Sequence, residues 1–263
     1  MKKTLGLALG AGGARGVAHI GFLKALEEEE IRADYVSGSS MGSVVGACYC
    51  KGMSPDKMLE VVKNLKFFDV AQIGLAPITK LGIMKWTKVR KMMSGFLENC
   101  DFSDLNIPFS CVAVDLKSGR QVTLSEGSVV DAMLASSSMP TVFRPVEKDG
   151  MLLVDGGVLC RVPVREVKNM GADVVVAVDV LGKCYPAENF SNVFSLIMRV
   201  YDIMDENKTR TLRNSTRKIV DLWLEPDMGD ISQYKIRFYQ EAYDAGYRAG
   251  KDSADKIRKL LES

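Results

Sequence analysis

Hydrophobic positions along the chain fall into short unbroken runs separated by stretches of helical spacing, and the pattern begins at once. Thr4–Leu9 is a compact apolar run that predicts a buried strand, and Gly10–Gly16 follows as a glycine-rich turn. Val17–Glu30 reads as a helix, with His19, Phe22, Leu23 and Leu26 on one face. Asp34–Ser37 is a second brief strand. It runs into Gly38-Ser39-Ser40-Met41-Gly42 and then a small-residue helix through Tyr49. Strand, turn and helix, repeated, is the signature of a parallel sheet with crossover helices.

Later segments extend the same reading. Ser54 and Pro55 supply an N-cap and a first helical residue, and Met58, Val61, Val62 and Leu65 make the apolar face behind them. Phe109–Val114 and Gln121–Leu124 predict strands around a turn at Lys117-Ser118-Gly119. Ser128 caps a helix through Ser137, and Val146–Val154 predicts a hairpin turning at Asp149-Gly150. Asp173–Val180, continuous and valine-rich, predicts a central strand. A long helix is expected over Asn192–Arg213 and a late strand over Ile219–Leu224. A closing helix is expected over Lys235–Leu261, whose Ala242, Ala245, Gly246, Ala249 and Gly250 suit close packing on the sheet. Phe67–Leu97 is less regular. Its bulky apolar residues alternate with Lys80, Lys85, Lys88, Arg90 and Lys91, which suits either a cap touching anionic lipid or a solvated helix over ordinary core.

Composition narrows the class. The chain has 263 residues, 47% hydrophobic and 26% charged, with a net charge of +2, so no whole-chain field points to nucleic acid. It carries no internal repeat and no apolar run long enough to span a bilayer. No linker divides it, so residues 1–263 read as a single domain. The apolar stretch after Met1 is short and interrupted by glycine, which fits a first strand better than a signal peptide. The six cysteines form no CxxC pair and have one histidine to join them, so neither a metal site nor a disulfide framework is expected, and the protein is placed in the cytoplasm.

Candidate chemistry gathers at three places. Gly38-x-Ser40-x-Gly42 fits a nucleophile elbow, a strained strand-to-helix turn that presents the serine hydroxyl, although the same five residues also occur as a plain Gly-Ser turn. Gly10-Ala11-Gly12-Gly13-Ala14-Arg15-Gly16 fits neither the dinucleotide register GxGxxG nor the P-loop, which needs Gly-Lys-Ser/Thr. Its better use is an oxyanion hole, with amides freed by glycine at a helix N-terminus. His19 precedes Ser40, whereas an α/β-hydrolase triad runs serine, acid, histidine. Its position on an apolar helix face favours a buried structural role. Asp155-Gly156-Gly157 ends the apolar run Met151–Val154. It reads as a common Asp-Gly turn or as a carboxylate held at a strand end, where burial would raise its pKa toward that of a useful base.

Together these elements resemble the patatin-like phospholipase family, over nearly the whole chain and most closely its short intracellular bacterial members. LALGAGGARGVAHIGFLKAL, residues 7–26, is similar to the family's glycine-rich loop and first helix. Gly38–Gly42 is similar to its nucleophile motif, Asp155-Gly156-Gly157 to its aspartate motif, and ASSSMPTVFRP, residues 135–145, to the segment preceding that aspartate. The resemblance implies a three-layer α/β/α fold with a mostly parallel central sheet. It also implies a Ser-Asp dyad that cleaves lipid acyl esters without metal or other cofactor. Ser40 would be nucleophile, Asp155 base, Gly12 and Gly13 the oxyanion hole, and Arg15 the support of that loop. Peripheral membrane contact accompanies a lipid substrate. Two departures stand out: Ala11 where the family often has glycine, and Cys160 and Arg161 where it often has asparagines. A non-enzymatic lipid- or protein-binding regulator and an acyltransferase are the alternative functions on the same fold.

Overall fold

The computed structural model describes residues 3–64, 86–184, 193–229, 231, 233 and 236–263. Its described strands are β1 (Leu5–Leu9), β2 (Tyr35–Ser39), β3 (Phe109–Asp115), β4 (Arg120–Leu124), β5 (Val146–Lys148), β6 (Met151–Asp155), β7 (Val174–Val178) and β8 (Leu222–Leu224). The longer helices are α1 (Val17–Glu28), α2 (Met41–Lys51), α3 (Pro55–Asn64), α4 (Thr87–Leu97), α5 (Val129–Ser136), α6 (Val164–Asn169), α7 (Val193–Ser215) and α8 (Tyr239–Glu262). Pairing runs β5-β6-β3-β2-β1-β7-β8, with β4 joined to β3. The β1, β2, β3, β7 and β8 pairings are parallel, and β4, β5 and β6 join antiparallel.

Helices cover both faces, as strand periodicity requires. Leu5, Leu7 and Leu9 of β1 and Val174, Val176 and Val178 of β7 point into one buried cluster with α1, α2 and α8. Ala8, Val175 and Ala177 point the other way, onto Val164 and Val167 of α6, with Leu212 of α7 packed beside them. This is the three-layer α/β/α arrangement. The turns follow local chemistry: Ser54 Oγ accepts the Lys57 amide and Ser128 Oγ the Asp131 amide. Asp149 and Gly150 both take positive φ, 50° and 76°, in the β5–β6 hairpin.

Three expectations need correction. The valine-rich strand is buried on both faces but lies next to the edge strand β8, while β1, β2 and β3 hold the middle. The late strand is confined to Leu222–Leu224. The small residues of α8 approach α1 rather than the sheet: a Cβ at Gly246 would stand 1.8 Å from the Ala18 carbonyl oxygen, and one at Gly250 would stand 2.6 Å from Ala25 Cβ. Glycine of α1 answers in kind, since a Cβ at Gly21 would stand 2.0 Å from the Tyr243 oxygen. Much of the proposed lipid-touching cap over 67–97 lies outside the described residues. Its described part, α4, buries Met93 and Leu97 in the main core and pairs Arg90 with Asp131. Among the described residues, no helix is long and apolar enough to cross a membrane.

One junction positions the site. β4 occupies one edge of β3 over residues 111–115, so β2, paired with 109–112, and β6, paired with 113–115, share the other edge. β2 runs parallel to β3 and β6 antiparallel, so their carboxyl ends meet, with Ser39 opposite Val112 and Asp155 opposite Ala113.

The α1–α8 contact makes a stability prediction with a built-in control. Gly246→Ala must push two helix backbones apart, and overpacking of this kind costs about 1–3 kcal/mol. Gly95 of α4 has nothing within 4 Å of its would-be Cβ, so Gly95→Ala should stabilise by about 0.5–1 kcal/mol. Denaturant melts of the two variants should therefore move in opposite directions.

Candidate active site

Ser40 sits between β2 and α2 with φ 51° and ψ −123°, a conformation that costs a non-glycine residue free energy and that characterises the elbow turn. The flanking glycines are required by space: a Cβ at Gly38 would stand 2.5 Å from Ser43 Cα, and one at Gly42 would stand 2.1 Å from the Leu9 oxygen. Neighbouring hydroxyls hold the turn. The Ser40 amide donates to Ser136 Oγ (3.1 Å), while the Ser40 carbonyl accepts from Ser43 Oγ (2.6 Å) and Ser137 Oγ (3.2 Å).

Asp155 closes β6 directly opposite. Ser40 Oγ donates to Asp155 Oδ2 at 2.6 Å, and the other carboxyl oxygen accepts the Gly157 amide at 2.8 Å. The carboxyl is buried, and burial pushes its pKa up to about 6; the bonds from Ser40 and Gly157 work against that rise. Gly156 admits no side chain, since its Cβ would stand 2.3 Å from the Val112 carbonyl oxygen.

The glycine loop lies alongside. Its Gly10 and Ala11 amides donate to the Val178 and Arg161 carbonyls, and its Ala14 and Arg15 amides to Gln233 and Gly12. Among the described residues, no acceptor meets the Gly12 or Gly13 amide. Gly13 has φ +50°, and a Cβ there would stand 2.5 Å from the Gln233 oxygen. Arg15 does not reach toward Ser40. It spans the Leu181 carbonyl (2.8 Å) and the carbonyls of Ile231 and Gly229, fastening the loop to the chain beyond β7 and β8.

Of the two departures from the family's pattern, the second has a side-chain role at Arg161, while the contacts made at Ala11 and Cys160 are through backbone atoms. The Cys160 carbonyl accepts Ser39 Oγ at 2.9 Å, tying the aspartate loop to the elbow strand. Arg161 is buried between Asp179 (2.6 Å) and Asp205 (3.0 Å), and its own carbonyl receives Ala11. Ala11 thus helps join the two loops.

His19 is fully buried, with Nε2–H donating to the Gly10 carbonyl at 2.8 Å. Burial lowers its pKa to about 4, and among the described residues Nδ1 has no partner that could accept a second proton. It is a neutral strut of the glycine loop.

Three contributors had no signal of their own in the sequence. Ser136, Ser137 and Ser138 link the elbow to the aspartate: the first two bond Ser40, and the Ser138 carbonyl accepts the Asp155 amide at 3.0 Å. Their serine run, inside the segment preceding the aspartate, was the one available hint. Trp86 stacks on Phe143 with ring centroids 3.9 Å apart and donates to Ser138 Oγ at 2.9 Å. Lys208 of α7 caps the aspartate loop through the Gly157 carbonyl (3.0 Å) and that of Val158. Among the described residues, no cluster of histidine, cysteine or acidic side chains is arranged to hold a metal ion.

Comparison with known proteins bears on the family and the fold. The profile of the family described as patatin-like phospholipase matches residues 7–168. An uncharacterized NTE family protein of Mycobacterium tuberculosis is 36% identical over 176 residues, which are 67% of this chain and 49% of that protein. Lysophospholipase NTE1 of Coccidioides immitis is 27% identical over 97% of this chain, which spans only 18% of that protein. Among solved structures, VipD from Legionella pneumophila superposes with a TM-score of 0.61 at 14% identity, over 99% of this chain and 67% of that one. The effector ExoU gives 0.52 at 14% identity, over 99% of this chain and 54% of that one.

The raised pKa of Asp155 has a consequence for stability. A carboxyl that titrates near 6 when folded and near 3.8 when unfolded binds more protons in the native state between those values, so its contribution is lost as pH rises through that window. His19, with its lowered pKa, acts in the opposite sense. Comparison with Asp155→Asn cancels the histidine: the variant should gain on the wild type by about 3 kcal/mol from pH 3.5 to 7, read from denaturant midpoints. A constant difference across that range would contradict burial of the charge.

Proposed function

Since the chain belongs to the patatin-like phospholipase family, we propose that it is a serine acyl hydrolase of lipid carboxylic esters, of phospholipase A or lysophospholipase type, working through a Ser40–Asp155 dyad. The observation that carries this reading is the 2.6 Å hydrogen bond from Ser40 Oγ to a buried carboxylate oxygen. The name of the fungal relative, lysophospholipase NTE1, supports the substrate class.

The geometry supports the following chemistry. Ser40 Oγ attacks the acyl carbonyl carbon while its proton passes to Asp155 Oδ2. The tetrahedral oxyanion is received by the Gly12 and Gly13 amides at the start of the helical turn. Collapse breaks the ester C–O bond, and Asp155 returns the proton to the departing alcohol oxygen. Water then attacks the acyl-enzyme, its proton goes to Asp155, and Ser40 recovers its hydrogen as the fatty acid leaves. The Gly157 amide fixes one carboxyl oxygen, so the other stays aimed at Ser40. A carboxyl poised near 6 is a far better base than a free aspartate, yet remains ionised at neutral pH.

We further read the chain as one domain, because α1 and α8, distant in sequence, cover the same face of the sheet. The cytoplasm fits the six free thiols, five of them buried.

The dyad predicts a specific division of effects. Ser40→Ala and Asp155→Asn should each lower kcat/KM on p-nitrophenyl esters by at least about 10³-fold, and a fluorophosphonate should label the wild type at Ser40 but not the alanine variant. Activity should fall as pH drops below about 6, where Asp155 takes up its proton. That acidic limb should persist in His19→Asn, since His19 is buried and neutral down to about 4. A folded Ser40→Ala protein with near wild-type turnover, or loss of the limb in His19→Asn, would sink the mechanism.

A further inference from the structure

Helix α7 turns two different faces to its surroundings. Inward, Met198, Asp205 and Thr209 are buried, and Lys208 caps the aspartate loop. Outward, Val193, Leu196, Ile197, Val200, Ile203 and Met204 are all 45–72% exposed. At 3.6 residues per turn these six positions form one continuous stripe, and none of them belongs to either buried cluster. An apolar surface of this kind on a soluble face calls for an occupant.

Charge identifies it. On the helical wheel Arg199 and Arg210 flank one side of the stripe, Arg210 exposed and Arg199 half-buried beside the Cys184 thiol, while Lys208 on the other side is engaged inward with the aspartate loop. The acidic residues of the helix are engaged with the protein itself: Asp202 with Gln233, Asp205 with Arg161, and Glu206 with the Cys184 amide. An apolar strip bordered by cations matches an anionic lipid surface, where methyl and methylene groups enter the acyl boundary and the cations meet headgroup phosphates. A second copy fits poorly, because twofold pairing of the stripe would set cationic borders against each other. The stripe also lies beside the proposed chemistry: Lys208 holds Gly157 and Val158, and the next residue, Leu159, is itself exposed.

We propose that the outer face of α7 is the surface by which this protein docks on anionic lipid, with the aspartate loop brought down beside the interface. This rests on the lipid-ester reading, and the test separates the two. Binding is measured without turnover, by co-sedimenting Ser40→Ala protein with vesicles of phosphatidylcholine alone or with one-fifth phosphatidylglycerol. The parent should partition onto the anionic vesicles. Adding Leu196→Gln, Val200→Gln and Met204→Gln, all at exposed positions, should lower partitioning at least about tenfold at unchanged melting temperature. Arg210→Gln alone should cost about fivefold on anionic vesicles and little on neutral ones. Equal partitioning of parent and triple variant, or a parent that stays in the supernatant, overturns the proposal. So does a parental dimer that the three substitutions convert to a monomer while vesicle binding is unchanged. Vesicle binding by a chain that cleaves no ester would instead sink the hydrolase reading and leave the surface standing.

Discussion

Two neighbouring residues of one strand hold the site together. Val112 pairs with Ser39 and Ala113 with Asp155, so the ends of β2 and β6 confront each other along a single edge of β3. Serine and aspartate, 115 positions apart, thereby come within hydrogen-bond distance without a flexible loop carrying either one. Most of the surrounding detail follows from that head-on meeting. Two strand ends have room there only if the turn after each is made of the smallest residues, which is why side chains at Gly38, Gly42 or Gly156 would strike backbone atoms at 2.1–2.5 Å. The carboxyl is buried because strand ends beneath covering helices are buried, and its raised pKa is a product of the topology as much as of its neighbours.

Strain at Ser40 has to be offset locally. A positive-φ serine costs on the order of 1–3 kcal/mol. Three serine hydroxyls, from residues 43, 136 and 137, engage its amide and carbonyl, each contributing about 1 kcal/mol net. The buried Arg161 cluster has a different purpose. Ion pairs of this sort rarely add net stability over apolar packing, but removing one partner leaves a stranded charge. Arg161 touches the end of β7 through Asp179, α7 through Asp205 and the glycine loop through Ala11, so it fixes the relative positions of three segments that all border the dyad. An asparagine in place of Arg161 would have to hold the segments with a shorter side chain and uncharged, weaker hydrogen bonds.

Local chemistry was the legible part of the sequence. The elbow, the Asp-Gly-Gly strand end, the caps at Ser54 and Ser128 and the Asp149-Gly150 hairpin each depend on a few adjacent residues, and each was readable from those residues. Relations between distant segments were not. A valine run reports burial on two faces but not rank within the sheet, so it does not reveal that β7 lies next to the edge strand. The alanines and glycines of α8 report close approach but not to what, and the partner proved to be α1. Ser136–Ser138 and Lys208 act through backbone groups far away in sequence, and a serine run or a helical lysine carries no mark of that use. A supporting role for Arg15 is implied only by the family resemblance, and its carbonyl partners lie in segments far away in the chain.

Helix α7 joins the interior of the site to the outer surface. Asp205 raises the pKa of Asp155 and Lys208 lowers it, and the two stand three residues apart on the same helix. Their effects on the carboxyl run in opposite directions, and burial outweighs both. Lys208 also holds the Gly157 and Val158 carbonyls, so the loop beside Ser40 is tied to this helix. One helix thus carries the exposed apolar stripe on its outer side and the lysine that ties down the aspartate loop on its inner side, while burial sets the pH at which the base ionises.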